Sequence, residues 1–394
     1  MLRSAPGGPD ATLCMAGDDA DMRSGAVAIA LERGAPSLTR LGTNRFTLRH
    51  DTMEGTAPGA AILAAARTTG PIAADPESCA MYALAQRVAR ADIPVLIEGP
   101  TGTGKEVLSR FVHAASDRAD GPFVAVNCAA MPEAMLEAML FGHRKGAFTG
   151  ASEASEGFFR AANGGTLLLD EIGEMAIGLQ AKLLRALQEG EVVPIGQSVP
   201  VPVDVRVIAC TNRDLPSEIA AGRFREDLFY RLNVFPLRLT PLRERAADIA
   251  PLAYAMVLRH STGEQLPWID EDALAKLAAH GWPGNVRELE NVMRRALLLR
   301  GDDTAIRREH IRFDAAISAL PGSMTSPAIP LRSGGAKLAD ITRGSETQAI
   351  LDTLDECDGH RGRTARRLGI SERTLRYRMA DMRDAGLLAA GGAR

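Results

Sequence analysis

The sequence predicts an α/β protein: a parallel sheet covered by helices on both faces, then a small helical domain, then a separate helical segment at the C-terminus. Three observations carry this. Short apolar runs bounded by Gly, Pro or Asn, namely PVLIEG (94–99), PFVAVNC (122–128), GTLLLDE (165–171) and VDVRVIACTN (203–212), alternate with helical stretches, the pattern of a sheet buried on both faces. From residue 241 the period changes, with Leu274, Leu277, Val286, Leu289 and Met293 recurring at helical spacing. The stretch ALPGSMTSPAIPLRSGGA (319–336) then breaks all pattern with Pro, Gly and Ser, as a flexible linker does.

Bulk properties narrow the function classes. At 394 residues the chain is longer than one core usually grows, so two or three domains are expected. Hydrophobic residues at 46% and charged ones at 24% are ordinary for a globular chain. Aromatics at 4% disfavour base stacking as a main activity, and a net charge of −3 excludes a uniformly basic coat while leaving room for a local basic patch. The five cysteines are scattered without a C-x-x-C pair, against both a disulfide framework and a zinc site; Cys128 and Cys210 read as core filler. The N-terminus MLRSAPGGPDATLCMAGDD lacks an apolar signal core, and no stretch is long and apolar enough to cross a bilayer. The expectation is a cytoplasmic protein without a membrane partner.

In chain order, residues 1–75 are rich in Ala, Gly and Pro with weak patterning, as in GAVAIALERGA (25–35), and read as a short N-terminal region, either degenerate regulatory or disordered. Residues 76–240 form the α/β domain, 241–313 the helical one, 314–340 the linker and 341–394 the C-terminal domain. Within the α/β domain GPTGTGKE (99–106) follows an apolar strand and precedes a helix. Glycines let backbone N–H groups turn in around phosphate oxygens, the helix offers its positive end, and Lys105 supplies a full charge. Gly99, Pro100, Thr101, Gly102, Thr103, Gly104, Lys105 and Glu106 are thus the candidate ATP loop. Glu106 stands where Ser or Thr normally serves Mg²⁺, and could reach the ion only through its hydration shell.

A second element, GGTLLLDEIGE (164–174), ends an apolar strand in two acids at the sheet rim, where ligands of parallel sheets bind. Asp170 would hold Mg²⁺ directly or through water, and Glu171 would orient and deprotonate the attacking water. Thr211 and Asn212, closing VIACTN, could sense the terminal phosphate or position water. Asn127, closing PFVAVNC, could hold Glu171 back until neighbouring subunits engage.

In the order GPTGTGKE, NCAAMPEAMLEAMLFGHRKGAFTGA, GGTLLLDEIGE, FREDLFYRLNVFPLRLTPLRER and GWPGNVRELENV, the chain resembles bacterial enhancer-binding proteins, the AAA+ activators of sigma-54 RNA polymerase. The resemblance runs from about Ile72 to Phe313 and resumes at the C-terminus. It implies an AAA+ P-loop ATPase with a helical lid, and it makes Glu106 expected. It also explains a phenylalanine among glycines: the loop Gly146, Ala147, Phe148, Thr149, Gly150, Ala151 is raised in the ATP cycle, with Phe148 and Thr149 touching sigma-54. By the same resemblance Arg225, Arg231 or both reach the terminal phosphate in a neighbouring subunit. On one continuous helix they would stand about 240° apart, against a shared role. Arg287 matches the sensor arginine that reaches the nucleotide of its own subunit. Met139 replaces a common Glu, Ser155 a common Arg and Arg160 another Glu; these surround the mobile loop, not the phosphates.

Near the C-terminus, RGRTARRLGISERTLRYRMADMRDAG (361–386) reads as helix, turn at Gly369, N-cap Ser371 and second helix. It resembles the Fis-type helix-turn-helix that ends this family, with Arg373, Thr374, Arg376 and Tyr377 facing the major groove or flanking phosphates of double-stranded enhancer DNA. The resemblance implies an inverted-repeat DNA site bound by a dimer, and a hexameric ring as the homo-oligomer that remodels the sigma-54 RNA polymerase closed complex. About 75 residues before the ATPase are short for a complete phospho-receiver, so phosphorelay control is not expected and regulation falls to the N-terminal region, a partner protein or abundance. Members without a working receiver include regulators of flagellar genes, which makes that regulon a candidate. Two alternatives stay open: a DNA-binding regulator with a vestigial ATPase, and an AAA+ unfoldase acting on another protein.

Overall fold

The computed structural model describes residues 11–15, 27–67, 70–147, 153–313, 360–367, 375 and 379. Two compact units divide the chain, Met1–Ala316 and Ile317–Arg394.

The centre of the first unit is a five-stranded parallel sheet in the order Phe235–Arg238, Val95–Glu98, Arg206–Thr211, Thr166–Asp170, Phe123–Asn127. Its three inner strands, VLIE, RVIACT and TLLLD, are buried almost throughout, which is why they read as unbroken apolar runs without alternation. The edges differ. Pro236, which has no N–H to give a ladder, sits in one edge strand, and Phe123–Asn127 at the other edge is only half-buried. Leu108 and Val112 of the helix Lys105–Ala114 pack on one face against Val95, Ile97, Ile208 and Cys210. Leu136, Leu140, Leu179 and Leu183 cover the other. Cys128 and Cys210 are buried among these apolar side chains, as expected of core filler.

A helical subdomain follows, with helices Ile249–His260, Glu271–Ala278 and Asn285–Leu299. Leu274, Leu277, Leu289 and Met293 are all buried in its core, and Val286 packs against it.

Residues 27–66, weakly patterned in sequence, are built onto this helical subdomain. Strands Val27–Glu32, Arg45–Arg49 and Ser37–Gly42 lie side by side, and Ser37–Gly42 pairs antiparallel with Gln265–Leu266. Val27, Ile29, Leu38, Phe46 and Leu48 share one core with Tyr254, Trp268 and Met293. The alanine-rich helix Thr56–Ala66 buries Ala57, Ala61, Ala64 and Ala65 against the same core; small side chains let it lie close. Arg40 donates to the carbonyls of Leu258 and, at 3.2 Å, Ser261, at the C-terminal end of helix Ile249–His260. Conversely Glu271 accepts from the Ala57 N–H at 2.8 Å, capping the alanine helix from the other subdomain. These strands pair with one another locally, but Ser37–Gly42 also pairs with Gln265–Leu266 and the core they share is supplied from far along the chain, so local spacing carries little of the signal.

In the second unit the helix Arg361–Arg367 buries Thr364 and Ala365, and Leu375 and Met379, four residues apart, are buried as well. Gly369 and the four residues expected at DNA, Arg373, Thr374, Arg376 and Tyr377, lie outside the described residues. No helix among the described residues is long and apolar enough to cross a membrane.

Candidate nucleotide site

Strand order brings the candidate residues together. The strand feeding the glycine loop lies next to Arg206–Thr211, which lies next to Thr166–Asp170, so all three C-terminal ends meet at one rim. Thr211 accepts through its carbonyl from Gly99 N–H at 3.2 Å, closing the strand onto the loop. The loop, both acids and part of the helical subdomain line one cavity of about 310 Å³.

Lys105, only 7% exposed, begins its helix after Gly104, a left-handed N-cap with no side-chain cap of its own. The Lys105 Nζ donates to the Gly99 carbonyl at 3.0 Å and stands 3.8 Å from Glu171 Oε1. The ammonium is therefore held inside the loop by backbone dipoles, between it and the acid pair. Burial pushes the Asp170 carboxyl above the ordinary carboxylate range, with the charge of Lys105 pulling the other way. Glu171 has φ 52°, a left-handed backbone that costs a non-glycine residue about 1 kcal/mol or more. That turn separates its direction from that of Asp170, and its Oε2 sits 3.4 Å from the Asn212 N–H. The Asn212 side-chain amide donates to Thr101 Oγ1 at 3.0 Å, tying the inner strand's end to the loop tip.

Other candidates stand elsewhere. Thr211 is fully buried and its Oγ1 accepts from Arg213 N–H at 3.1 Å, so it braces the turn below Asn212. Asn127 is the register partner of Asp170, but its Oδ1 accepts from Ala129 N–H at 2.8 Å, directing the amide to its own following loop. Glu106 lines the cavity while its Oε1 pairs with Arg110 one turn along the helix at 2.9 Å. Arg225 stands at the N-cap position of the helix Glu226–Leu232, without a side-chain capping bond, and pairs with Asp227 at 2.6 Å. Arg231, in that helix, donates to the Leu187 carbonyl at 2.8 Å. Neither arginine lines the cavity, and they point to different partners.

The helical subdomain closes the cavity through residues flanking Arg287. Val286 N–H donates to the Gly102 carbonyl at 2.9 Å and Asn285 Nδ2 to the Thr101 carbonyl at 3.0 Å. A Cβ on Gly102 would lie 2.5 Å from the Gly284 carbonyl oxygen and 3.2 Å from Arg287 Cβ; only glycine permits this approach. Arg287 stands in the first turn of Asn285–Leu299 and lines the cavity. Sequence reasoning missed four contributing residues. Asn285 bridges the loop and the Leu242 N–H at 2.8 Å, Arg245 grips the loop from below, and Pro71 and Ile72 wall the cavity from the entering chain. The asparagine in GWPGN and the second arginine in LRER were the available signals.

Gly146 and Ala147 are described, whereas Phe148, Thr149, Gly150 and Ala151 lie outside the described residues. The stems that carry this loop are paired: His143 and Ser155 exchange backbone bonds at 2.9 and 3.0 Å, and Arg144 N–H donates to Ile195 O at 3.1 Å. Met139 and Ser155, two of the departures from the family pattern, line one apolar pocket with Met135, Ala138 and His143. Arg160, the third, is exposed on the short helix Phe158–Ala161.

Comparison with known proteins gives consistent matches along the chain. The sigma-54 interaction domain matches residues 72–238, the AAA+ ATPase lid domain 243–323 and the bacterial regulatory protein Fis family 343–382. The response regulator protein FleR of Pseudomonas aeruginosa is 50% identical over 339 residues, covering 81% of this chain and 71% of its own. The transcriptional regulatory protein FlbD of Caulobacter vibrioides is 48% identical, covering 79% and 70%. The sigma54-dependent transcriptional activator SfnR of Pseudomonas putida is 43% identical, covering 82% and 90%. Among solved structures, NtrX from Brucella abortus in complex with ATP superposes with a TM-score of 0.57 at 28% identity, covering 91% of this chain and 83% of that one.

Proposed function

The chain belongs to the sigma-54-dependent transcriptional activators, AAA+ proteins with a Fis-type helix-turn-helix, and from that premise we propose that it hydrolyses ATP in a ring of its own copies to remodel the sigma-54 RNA polymerase closed complex from an enhancer. The observation that carries the proposal is the convergence of Lys105, Asp170, Glu171 and the lid residue Arg287 on one cavity at the rim of the sheet, with Asn212 bonded to the lining residues Thr101 and Glu171.

Each residue has a distinct task. Backbone N–H groups of Gly102 to Lys105 at the helix N-terminus donate to the phosphate oxygens, and Lys105 neutralises them. Glu171, held by the turned backbone, takes the proton of the attacking water, while Asn212 orients that water or the terminal phosphate. A half-buried carboxylate at the strand end beside a lysine is a fitting donor for Mg²⁺, so Asp170 would hold the ion, with Glu106 limited to its hydration shell by the pairing with Arg110. When bound, Mg²⁺ would offset the charge of the phosphate oxygens. Arg225 and Arg231 lie outside their own cavity, which suits a role in a neighbouring subunit's site and supports a ring. The Gly146–Ala151 loop would engage sigma-54, and Arg373, Thr374, Arg376 and Tyr377 the DNA. Genes of the flagellum are kept as the first regulon to test.

ATP turnover by the purified chain tests the reading. Lys105→Ala should abolish it, and Phe148→Ala should spare it while abolishing open-complex formation with sigma-54 polymerase. Turnover indifferent to Lys105→Ala would remove the proposal.

A further inference from the structure

We propose that Arg245 is a positioning residue for nucleotide binding, which aims the Gly104 N–H at the phosphates by holding the Thr103 carbonyl from the opposite side. This rests on the nucleotide reading of the cavity. Arg245 lies in the short turns that join the sheet to the lid, between Leu242–Glu244 and Ala246–Asp248. It is 3% exposed and lines the cavity. Its Nη2 donates to Thr103 O at 2.6 Å.

A buried guanidinium is costly, several kcal/mol by usual accounting unless partners compensate, so its partners matter. Asp248, fully buried, stands 3.6 Å from Nη1, close enough to attract but too far for a hydrogen bond, and its oxygens bond elsewhere. Oδ1 accepts from Ala74 N–H at 2.6 Å and Asp75 N–H at 2.8 Å, and Oδ2 from Ser78 Oγ at 2.6 Å. Asp248 thus fastens the chain entering helix Pro76–Ala89 and attracts Arg245 without directing it. The Arg245 Nε has no hydrogen-bond partner among the described residues. The directed contact is the one to the glycine loop.

That contact has a geometric consequence. In a trans peptide, C=O and N–H are coplanar and point opposite ways. The peptide after Thr103 carries the Gly104 N–H, so a donor pulling the carbonyl one way sends the N–H the other. Gly104 has φ 106° and no heavy atom within 4 Å of where its Cβ would be, and the buried Arg245 contact is a directed side-chain bond on that peptide. Because Arg245 belongs to the turn into the lid, and Asp248 of the same turn fastens the entering chain, the aim of one phosphate-binding N–H is tied to that turn.

The test uses the full chain, with steady-state ATPase and competition binding by ATP and by adenosine, which lacks phosphates. Arg245→Met fills similar space without a donor; Arg245→Lys restores a charge and one donor. The proposal expects Arg245→Met to raise KM and Kd for ATP about tenfold or more with kcat changed less than about threefold, adenosine affinity unchanged, and Arg245→Lys to recover part of the loss. Asp248→Asn, isosteric, should raise KM less. Wild-type KM in Arg245→Met overturns the proposal, as does equal loss of ATP and adenosine affinity. Should Arg245→Met fail to fold, unchanged ATP affinity in both Arg245→Lys and Asp248→Asn overturns it, and raised KM in both with adenosine unaffected supports it. Wild-type ATP affinity in Lys105→Ala would instead refute the nucleotide reading itself.

Discussion

Replacing Gly102 by alanine separates the two jobs of the glycine loop, wrapping phosphate and docking the lid. The new Cβ would meet the Gly284 carbonyl at 2.5 Å and Arg287 Cβ at 3.2 Å, on a backbone with φ 78°. Backbone strain costs about 1–2 kcal/mol. Moving Gly284 away also sacrifices the Val286 N–H to Gly102 O bond and the Asn285 bond to Thr101 O, each contributing about 0.5–1.5 kcal/mol. Gly104→Ala is the control, since its backbone is also positive, φ 106°, but nothing lies within 4 Å. The difference between the two variants is therefore the docking contact, about 1–3 kcal/mol or roughly 5- to 150-fold. Hydrogen exchange reads it at the Val286 amide, whose protection should fall by that factor in Gly102→Ala and not in Gly104→Ala. Equal protection in both variants would refute the reasoning that the lid docks through this contact.

Three further outcomes are expected. Glu171→Gln should keep ATP binding within a few-fold while turnover falls about 10²- to 10⁴-fold, checked by binding and single-turnover assays; parallel loss of both would assign Glu171 to binding. Burial raises the Asp170 pKa, so protonation removes the carboxylate at a higher pH than for an exposed aspartate, and the acid limb of kcat/KM should lie above the ordinary carboxylate range. The sign for stability is opposite: a raised folded-state pKa means that this group's contribution improves as pH falls through it and is lost as pH rises. A pH profile with an unshifted acid limb would contradict this. Finally, Arg40→Ala deletes the guanidinium bonds to Leu258 O and Ser261 O and should destabilise the lid by about 2 kcal/mol, seen as earlier thermal unfolding with reduced ATP affinity. Increased ATPase in that variant would mark residues 27–66 as a brake on the lid instead of a brace.

Much of the nucleotide site was legible because its chemistry is local. Glycines, Lys105 and a helix start must be contiguous to wrap phosphate, and Asp170 and Glu171 must end an apolar strand to reach the sheet rim. The core was legible for the same reason: strands buried on both faces are written as unbroken apolar runs, as in TLLLD and RVIACT. Residues 27–66 were not, because Val27–Glu32 alternates only briefly and its core partners, Tyr254 and Trp268, lie far along the chain. Arg245 looked like any surface arginine in LRER, yet it is buried.

The sequence by itself singled out the glycine loop, Lys105 and the acid pair Asp170 and Glu171 as the candidate nucleotide site, since that chemistry needs its residues side by side in the chain. Tertiary structure alone decided that Asn127 turns to Ala129, that Arg225 and Arg231 leave their own cavity, and that Asn285 and Arg245 hold the loop. The contacts of Arg231, Asn285 and Arg245 join segments distant in sequence, set by sheet order and by the docking of the lid, and no local spacing encodes them; the turn of Asn127 to Ala129 and the pairing of Arg225 with Asp227 are local choices among several open to those side chains.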